Sequence, residues 1–360
     1  MDQITEAMDM VDHIHQPAFC VREGIIVKAN PAAQARMIEA GTPVSQLFSS
    51  AFEDYENYTG GCLYANLILN GQTAGVSITR KQDFDLFLLL PDSDRQDLQA
   101  LALAARELRE PLSGLMITSD RLFPQITDEK PELEEQVARM NRSLFQLLRI
   151  ISNMADASRF EAAALPRTEL RDICAFVAEI GEKAKTLAAH TGVTLFCTVH
   201  PEPVFCQIDS EKLERALFNL LSNALKFTPA GGEIRLSLKK QGNRLYLRVQ
   251  DSGCGIPETL RGDLFSRYTR EPGVEDSRFG IGLGLVLIRS AAAAHGGTVL
   301  IDHPQPEGTR VTLTMAIRTG VENHLRSPIM KVDYTGEWDH ALVEFSSLLP
   351  PSAYLPGDKP

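Results

Sequence analysis

The sequence predicts an α+β protein of several units, in which a helical hairpin separates two mixed regions. Three observations predict it. Between residues 15 and 90, short strand-like runs (AFCVREGIIVKAN, CLYANLILN, AGVSITR, FDLFLLL) alternate with one helical piece, AAQARMIEA. From 92 to 164 the period changes: Leu98, Leu101, Ala105, Leu108, Leu112, Leu115, Ser119 and Leu122 step by three and four. The same steps recur in Leu133, Val137, Met140, Leu144, Leu147, Ile151 and Met154, after a break expected around Pro124 to Pro131. Strands and helices mix again from about residue 165 to 320.

The expected units are therefore 1–91, 92–164, 165–320 and a tail at 321–360, whose SLLPPSAYLPGDKP reads as irregular. One hairpin cannot bury an apolar seam on each of its helices, so pairing of two copies through 92–164 into a four-helix bundle is expected. Composition narrows the function. The chain has 360 residues, 44% of them hydrophobic, and a formal charge of −11 with its basic residues scattered, which argues against nucleic-acid binding. Cys20, Cys62, Cys174, Cys197, Cys206 and Cys254 form no C-x-x-C pair and no zinc-like spacing with histidine. No apolar run reaches the roughly 18 to 20 residues of a membrane helix, and the acidic MDQITEAMDMVDH lacks a signal-peptide core. A cytoplasmic protein without a membrane span is expected.

Three stretches carry chemistry. In LERALFNLLSNALKF, the residues Leu213, Ala216, Leu217, Leu220, Leu221 and Ala224 claim one helix face, while Arg215, Asn219, Asn223 and Lys226 recur at steps of four, four and three. Amide oxygens can ligate a hard cation and an ammonium can neutralise phosphate, so the set suits a polyphosphate with its metal; a solvated helix face is the other reading. RLYLRVQDSGCGIP alternates Leu245, Leu247 and Val249 inward and then breaks at Asp251, Gly253 and Gly255, offering a carboxylate acceptor beside an open backbone or simply a turn. RFGIGLGLVLIRSAAAAHGG sets Gly280, Gly282 and Gly284 ahead of a helical run, where backbone N–H groups can approach phosphate or a lid can flex. No P-loop sequence is present.

In this order and separation the three stretches resemble the ATP-binding domain of sensor histidine kinases, within the GHKL superfamily that includes gyrase and mismatch-repair ATPases. The resemblance implies an α/β sandwich that binds ATP and Mg²⁺. It assigns Asn219, Asn223 and Lys226 to Mg²⁺ and the phosphates, and Asp251, with Gly253 and Gly255, to adenine. Gly280, Gly282 and Gly284 become the nucleotide lid, Phe265 in DLFSRYTR the aromatic box, and Arg270 a phosphate contact. By the same resemblance, the hairpin is the dimerisation and phosphotransfer domain, and residues 15–90, with QPAFCVREGIIVKANPAA, a PAS-like sensor.

Family members carry a signature close to H-E-L-R-T-P-L in the first hairpin helix, and RELREPL matches it at Glu107, Leu108, Arg109, Pro111 and Leu112. Arg106 stands where the resemblance places the phosphoacceptor histidine, Glu107 takes the base-like position, and Glu110 replaces a small polar residue. A guanidinium stays protonated and is no usable nucleophile. None of the eight histidines lies in the hairpin, His295 reads as structural, and Arg215 occupies the position of the catalytic glutamate of the ATPase branches. The resemblance therefore implies a two-component signalling homologue that binds ATP but does not autophosphorylate in the standard way: a pseudokinase or dimeric scaffold for a response regulator or an intact histidine kinase. The alternative is an active protein histidine kinase that phosphorylates a partner or an atypical site.

Overall fold

The alternating runs of the N-terminal unit become β1 (Ala18–Arg22), β2 (Ile25–Ala29), β3 (Cys62–Leu69), β4 (Gln72–Arg80) and β5 (Asp85–Leu89), paired antiparallel in the order β2-β1-β5-β4-β3. The structure is a computed structural model describing residues 10–48, 51–81, 83–90, 95–129, 133–161, 167–257, 283–304, 308–319 and 338–355. The helical piece after β2 is shorter than its sequence suggests. Only α1 (Pro31–Gln34) is helical there, with Asn30 as its N-cap: Asn30 Oδ1 accepts the N–H of Ala33 and of Ala18 at 2.9 and 3.1 Å. A second helix, α2 (Phe52–Asn57), precedes β3.

The hairpin consists of α3 (Arg95–Glu129) and α4 (Glu134–Glu161). The break expected around Pro124 to Pro131 comes at the end of that range: α3 runs past Pro124 to Glu129, as it also runs through Pro111 and Gly114, and α4 starts at Glu134. A proline inside a helix removes one backbone hydrogen bond, and here the length of apolar contact along α4 outweighs that loss. The leucine stepping on α3 divides between two faces. Ala105, Leu112, Met116, Ser119 and Phe123 are buried, whereas Leu108, Leu115 and Leu122, seven residues apart, are 49%, 59% and 48% exposed. On α4, Val137, Leu148 and Ile151 are buried while Met140 and Leu147 are exposed.

The third unit adds β6 (Glu169–Asp172), α5 (Ile173–Ala188), β7 (Thr194–Thr198), β8 (Phe205–Ile208), α6 (Ser210–Phe227), β9 (Glu233–Gln241), β10 (Arg244–Asp251), α7 (Gly284–Ala294), β11 (Val299–Asp302) and β12 (Arg310–Ala316). Strands β6 and β8 pair apart. The others continue the N-terminal sheet as β3-β11-β12-β10-β9-β7, ten strands in all, antiparallel except for β7 with β9. The sequence-defined boundary near Pro91 thus does not end the sheet.

The junction pairs Tyr64 with Val299, Leu63 with Leu300 and Cys62 with Ile301. Gly61 makes it sterically feasible: its φ is +93°, and a Cβ there would lie 2.3 Å from the carbonyl oxygen of Ile301. Beside it the buried carboxylate of Asp54, on α2, pairs with Arg244 and accepts the hydroxyls of Thr298 and Thr314 at 3.0 and 2.7 Å. Helices α5, α6 and α7 cover the strands of the third unit. The tail is ordered rather than irregular at 338–355, where α8 (His340–Glu344) and a 3₁₀ turn at Pro351–Tyr354 pack on α4.

The exposed leucine stripe predicts a paired hairpin. Leu115→Glu is expected to halve the molar mass seen by light scattering while leaving far-ultraviolet helicity intact; an unchanged mass would reject the stripe as the pairing face.

Candidate nucleotide site

Helix α6 is the platform. Its apolar stripe, Leu213, Ala216, Leu217, Leu220, Leu221 and Ala224, is buried throughout, and Asp209 caps its N-terminus by accepting the N–H of Lys212 at 3.1 Å. Asn219 is buried and fixed by a bond from Nδ2 to the Arg215 carbonyl at 2.9 Å, one turn back. Asn223 and Lys226 are half-buried, with the Lys226 ammonium 4.6 Å from the centroid of the Phe227 ring.

The other two stretches meet α6 at separate points. Gly284 opens α7 against the asparagines: a Cβ on it would lie 3.0 Å from Asn219 Oδ1 and 3.9 Å from Asn223 Nδ2. A larger residue would press on the amide that suits a cation. Gly253 abuts the end of α6, where a Cβ would come within 2.4 Å of the Phe227 carbonyl oxygen. Asp251 closes β10 as a buried residue, and among the described residues its Oδ1 accepts the N–H of Gly253 at 2.9 Å and of Thr309 at 3.1 Å. Burial pushes the Asp251 carboxyl above its ordinary range, and the two backbone bonds partly offset this. Gly255 has φ +72° and faces the Gly308 carbonyl.

Asn219, Asn223 and Gly284 therefore form one cluster, and Asp251 and Gly253 a second at the C-terminal end of the same helix. Phe265, Arg270, Gly280 and Gly282 lie outside the described residues. Thr309 and Gly308 were not marked in the sequence; the only local signal for them was a glycine immediately before a strand. Glu107 and Arg106 are exposed on α3, next to buried Ala105. One turn earlier, Leu101 packs on Leu283 and Val286, so the first turn of α7 lies beside the hairpin.

Arg215 does not share the asparagine face. It is fully buried on the hairpin side, paired with Asp156 of α4, bonded to Asn153 Oδ1 at 2.9 Å, and 3.8 Å from Glu344 of the tail. A guanidinium among apolar helices settles where carboxylates await it, which takes it away from the phosphate side. His295 ties α7 to α6. Its Nε2 accepts the Asp209 N–H at 3.0 Å, so Nδ1 carries the proton donated to the Ala291 carbonyl at 2.7 Å, and burial lowers its pKa. The histidine is neutral and structural.

Residues 208–319 match the family described as histidine kinase-, DNA gyrase B- and HSP90-like ATPase, and residues 96–163 match the His Kinase A (phospho-acceptor) domain. The chain is 32% identical to the histidine protein kinase DivJ of Caulobacter vibrioides over 243 residues, covering 63% of this chain and 40% of that protein. It is 30% identical over 254 residues to the adaptive-response sensory kinase SasA of Synechocystis, covering 66% and 65%. The structure of full-length ShkA in complex with AMPPNP aligns with a TM-score of 0.51 at 25% identity, over 62% of this chain and 46% of that one. The chain thus spans less than two thirds of the length of each of these relatives. Among the described residues no helix is long and apolar enough to cross a membrane.

The neutral His295 predicts an acid-sensitive helix junction. Below pH 6.5, the ordinary imidazole value, the unfolded chain binds a proton that the folded chain resists, so stability falls with acidification. Thermal unfolding followed across this range is expected to show that slope in the parent and a flatter one in His295→Gln; equal slopes would remove His295 as the cause.

Proposed function

The chain belongs to the sensor histidine kinase family, and from that premise we propose that it binds ATP with Mg²⁺, pairs through its hairpin, and does not phosphorylate itself at the turn of Arg106. One observation carries the reading: the asparagine cluster and the Asp251 turn are built onto one helix, while the exposed position 106, on the hairpin helix whose Leu101 packs on the start of α7, holds a guanidinium.

The residues suit the nucleotide. Asn219 and Asn223 supply amide oxygens for the cation, and Lys226 supplies charge for the phosphates. Asp251 accepts from an exocyclic amino group, its Oδ1 already steadied by Gly253 and Thr309. Gly253, Gly255 and Gly284 keep the backbone clear where a side chain would collide or a positive φ is required. Mg²⁺, when bound, would neutralise phosphate charge. The family resemblance adds Phe265, Arg270, Gly280 and Gly282 to the same site.

At the hairpin, Glu107 holds the base-like position, but its neighbour Arg106 is a guanidinium with no lone pair to offer as a nucleophile. A phosphoryl group brought there finds a cation that can pair with it and cannot bond to it. The chain then acts as a pseudokinase: a cytoplasmic dimeric regulator in two-component signalling, whose partner is a response regulator or an intact histidine kinase. The N-terminal unit serves as its PAS-like sensor, a reading supported by the strand order β2-β1-β5-β4-β3 with the helical segments inserted between β2 and β3.

Incubation with γ-labelled ATP and Mg²⁺ tests this. The parent is expected to bind nucleotide and remain unlabelled, while Arg106→His gains acid-labile label; label on the parent would overturn the pseudokinase reading. Asp251 gives an independent check. Because the ionised carboxylate is the acceptor, affinity is expected to weaken as pH falls through a pKa above the ordinary carboxylate range. Asp251→Asn should lose about tenfold or more in affinity and remove that dependence, both read by calorimetry.

A further inference from the structure

Residues 338–355 lie beyond the range matched by the ATPase family, yet they are among the better buried parts of the chain. They bridge two elements. Toward α4, Arg142 donates to the Ser346 and Ser347 carbonyls, both at 3.0 Å, and Gln146 donates to the Ser346 carbonyl at 3.1 Å. Asn141 donates to the Tyr354 carbonyl at 2.9 Å, and Phe145 packs its ring between Trp338 and Tyr354, with centroids 5.3 and 5.0 Å away. Toward α6, Phe345 meets Phe218 edge to face at 5.8 Å, and His340 Nδ1 lies 2.7 Å from Glu214.

Between the two helices sits a buried set of charges. Arg215 pairs with Asp156 and lies 3.8 Å from Glu344 Oε1, while Glu344 Oε2 accepts Arg149 Nε at 3.1 Å. Arg215, Asp156 and Glu344 are at most 1% exposed and Arg149 15%. Among the described residues two guanidinium groups here face two carboxylates, and one of those carboxylates comes from the tail. Removing the Glu344 charge would leave Arg215 and Arg149 one carboxylate short in a setting out of water, which is costly. The hold is nonetheless separable. Under the tail lies a cavity of about 400 Å³, lined by Met116, Leu144, Phe145, Glu214, Trp338 and Tyr354 among others, so the tail does not fill all the space beneath it.

We propose that residues 338–355 are an intramolecular latch, which neutralises Arg215 and Arg149 through Glu344 and thereby locks the nucleotide-binding domain onto the second hairpin helix. Undocking the latch exposes the charge mismatch and lets water part α6 from α4. Arg215 lies one turn from Asn219, and its carbonyl holds the Asn219 amide. The latch therefore sets where the nucleotide site stands relative to the hairpin. The consequence for nucleotide placement rests on the proposed ATP site; the lock itself does not.

Hydrogen exchange on the full-length protein tests it. Glu344→Gln, which keeps the shape and removes the charge, is expected to accelerate exchange in 145–156, 210–222 and 338–355 by about a hundredfold, with β9, β10 and β12 still protected. Arg149→Gln combined with Glu344→Gln removes one charge of each sign and is expected to recover at least about tenfold of that protection. Unchanged exchange in the single variant would overturn the latch. So would loss of protection in β9, β10 and β12, which would make Glu344 part of the domain core rather than a separable clasp. Nucleotide binding measured on the same samples keeps the two proposals apart, because absence of binding in the parent sinks the ATP reading and leaves the exchange result standing.

Discussion

A guanidinium that is wholly removed from water and cannot lose its proton must be met by carboxylates, and Arg215 imposes that demand where three segments converge. Asp156 answers from the hairpin and Glu344 from the tail. Through these contacts the helix that carries the asparagines meets the second hairpin helix and the tail around a single buried cation. Geometry at the nucleotide site inherits this placement. The carbonyl that orients Asn219 belongs to Arg215, so a constraint about burying charge fixes an amide one turn away.

On the opposite side the nucleotide-binding domain is held by a sheet edge. Strand β3 would otherwise present unpaired backbone groups to solvent, and β11 takes them up in register, with Gly61 allowing the approach. Polar side chains reinforce the edge: Asp54 spans from α2 to Arg244, Thr298 and Thr314, and the Arg289 guanidinium of α7 lies 5.8 Å from the centroid of the Tyr64 ring on β3. The N-terminal unit thus touches the helix whose first residue abuts Asn219. A displacement of β3 has a short physical route to the asparagine cluster, through Tyr64, Arg289 and the length of α7, and needs no intervention by the hairpin.

The sequence made the local patterns legible and the long-range ones not. Strands β1 to β5, the buried stripe of α6 and the turn after Asp251 all followed from period and turn chemistry, because those signals act between residues near in the chain. The heptads of the hairpin marked apolar positions without apportioning them. Burial of Leu112 and exposure of Leu108 and Leu115 depend on which way α4 packs, which one helix cannot specify. Arg215 was misplaced for a similar reason. A step of four sets it near Asn219 on a helical wheel, but its partners arrive from α4 and α8, and no spacing rule links them. The tail looked irregular because its prolines interrupt any period, although Phe345, Leu349 and Tyr354 are as buried as residues in a regular helix.

At Arg106 the fold and the chemistry separate. Everything that would bring a phosphoryl group to this turn is a matter of packing: Leu101 against Leu283 and Val286, Ala105 buried beneath, and Glu107 exposed alongside. Packing is indifferent to which exposed side chain follows Ala105. A histidine and an arginine at that exposed position would leave the helix and its packing on α4 unchanged, since neither side chain enters the core. Only the lone pair differs, and group transfer depends on it. The frame of a phosphotransfer domain can therefore persist whichever side chain follows Ala105, and in the proposed reading the guanidinium there pairs with an anion without reacting with it.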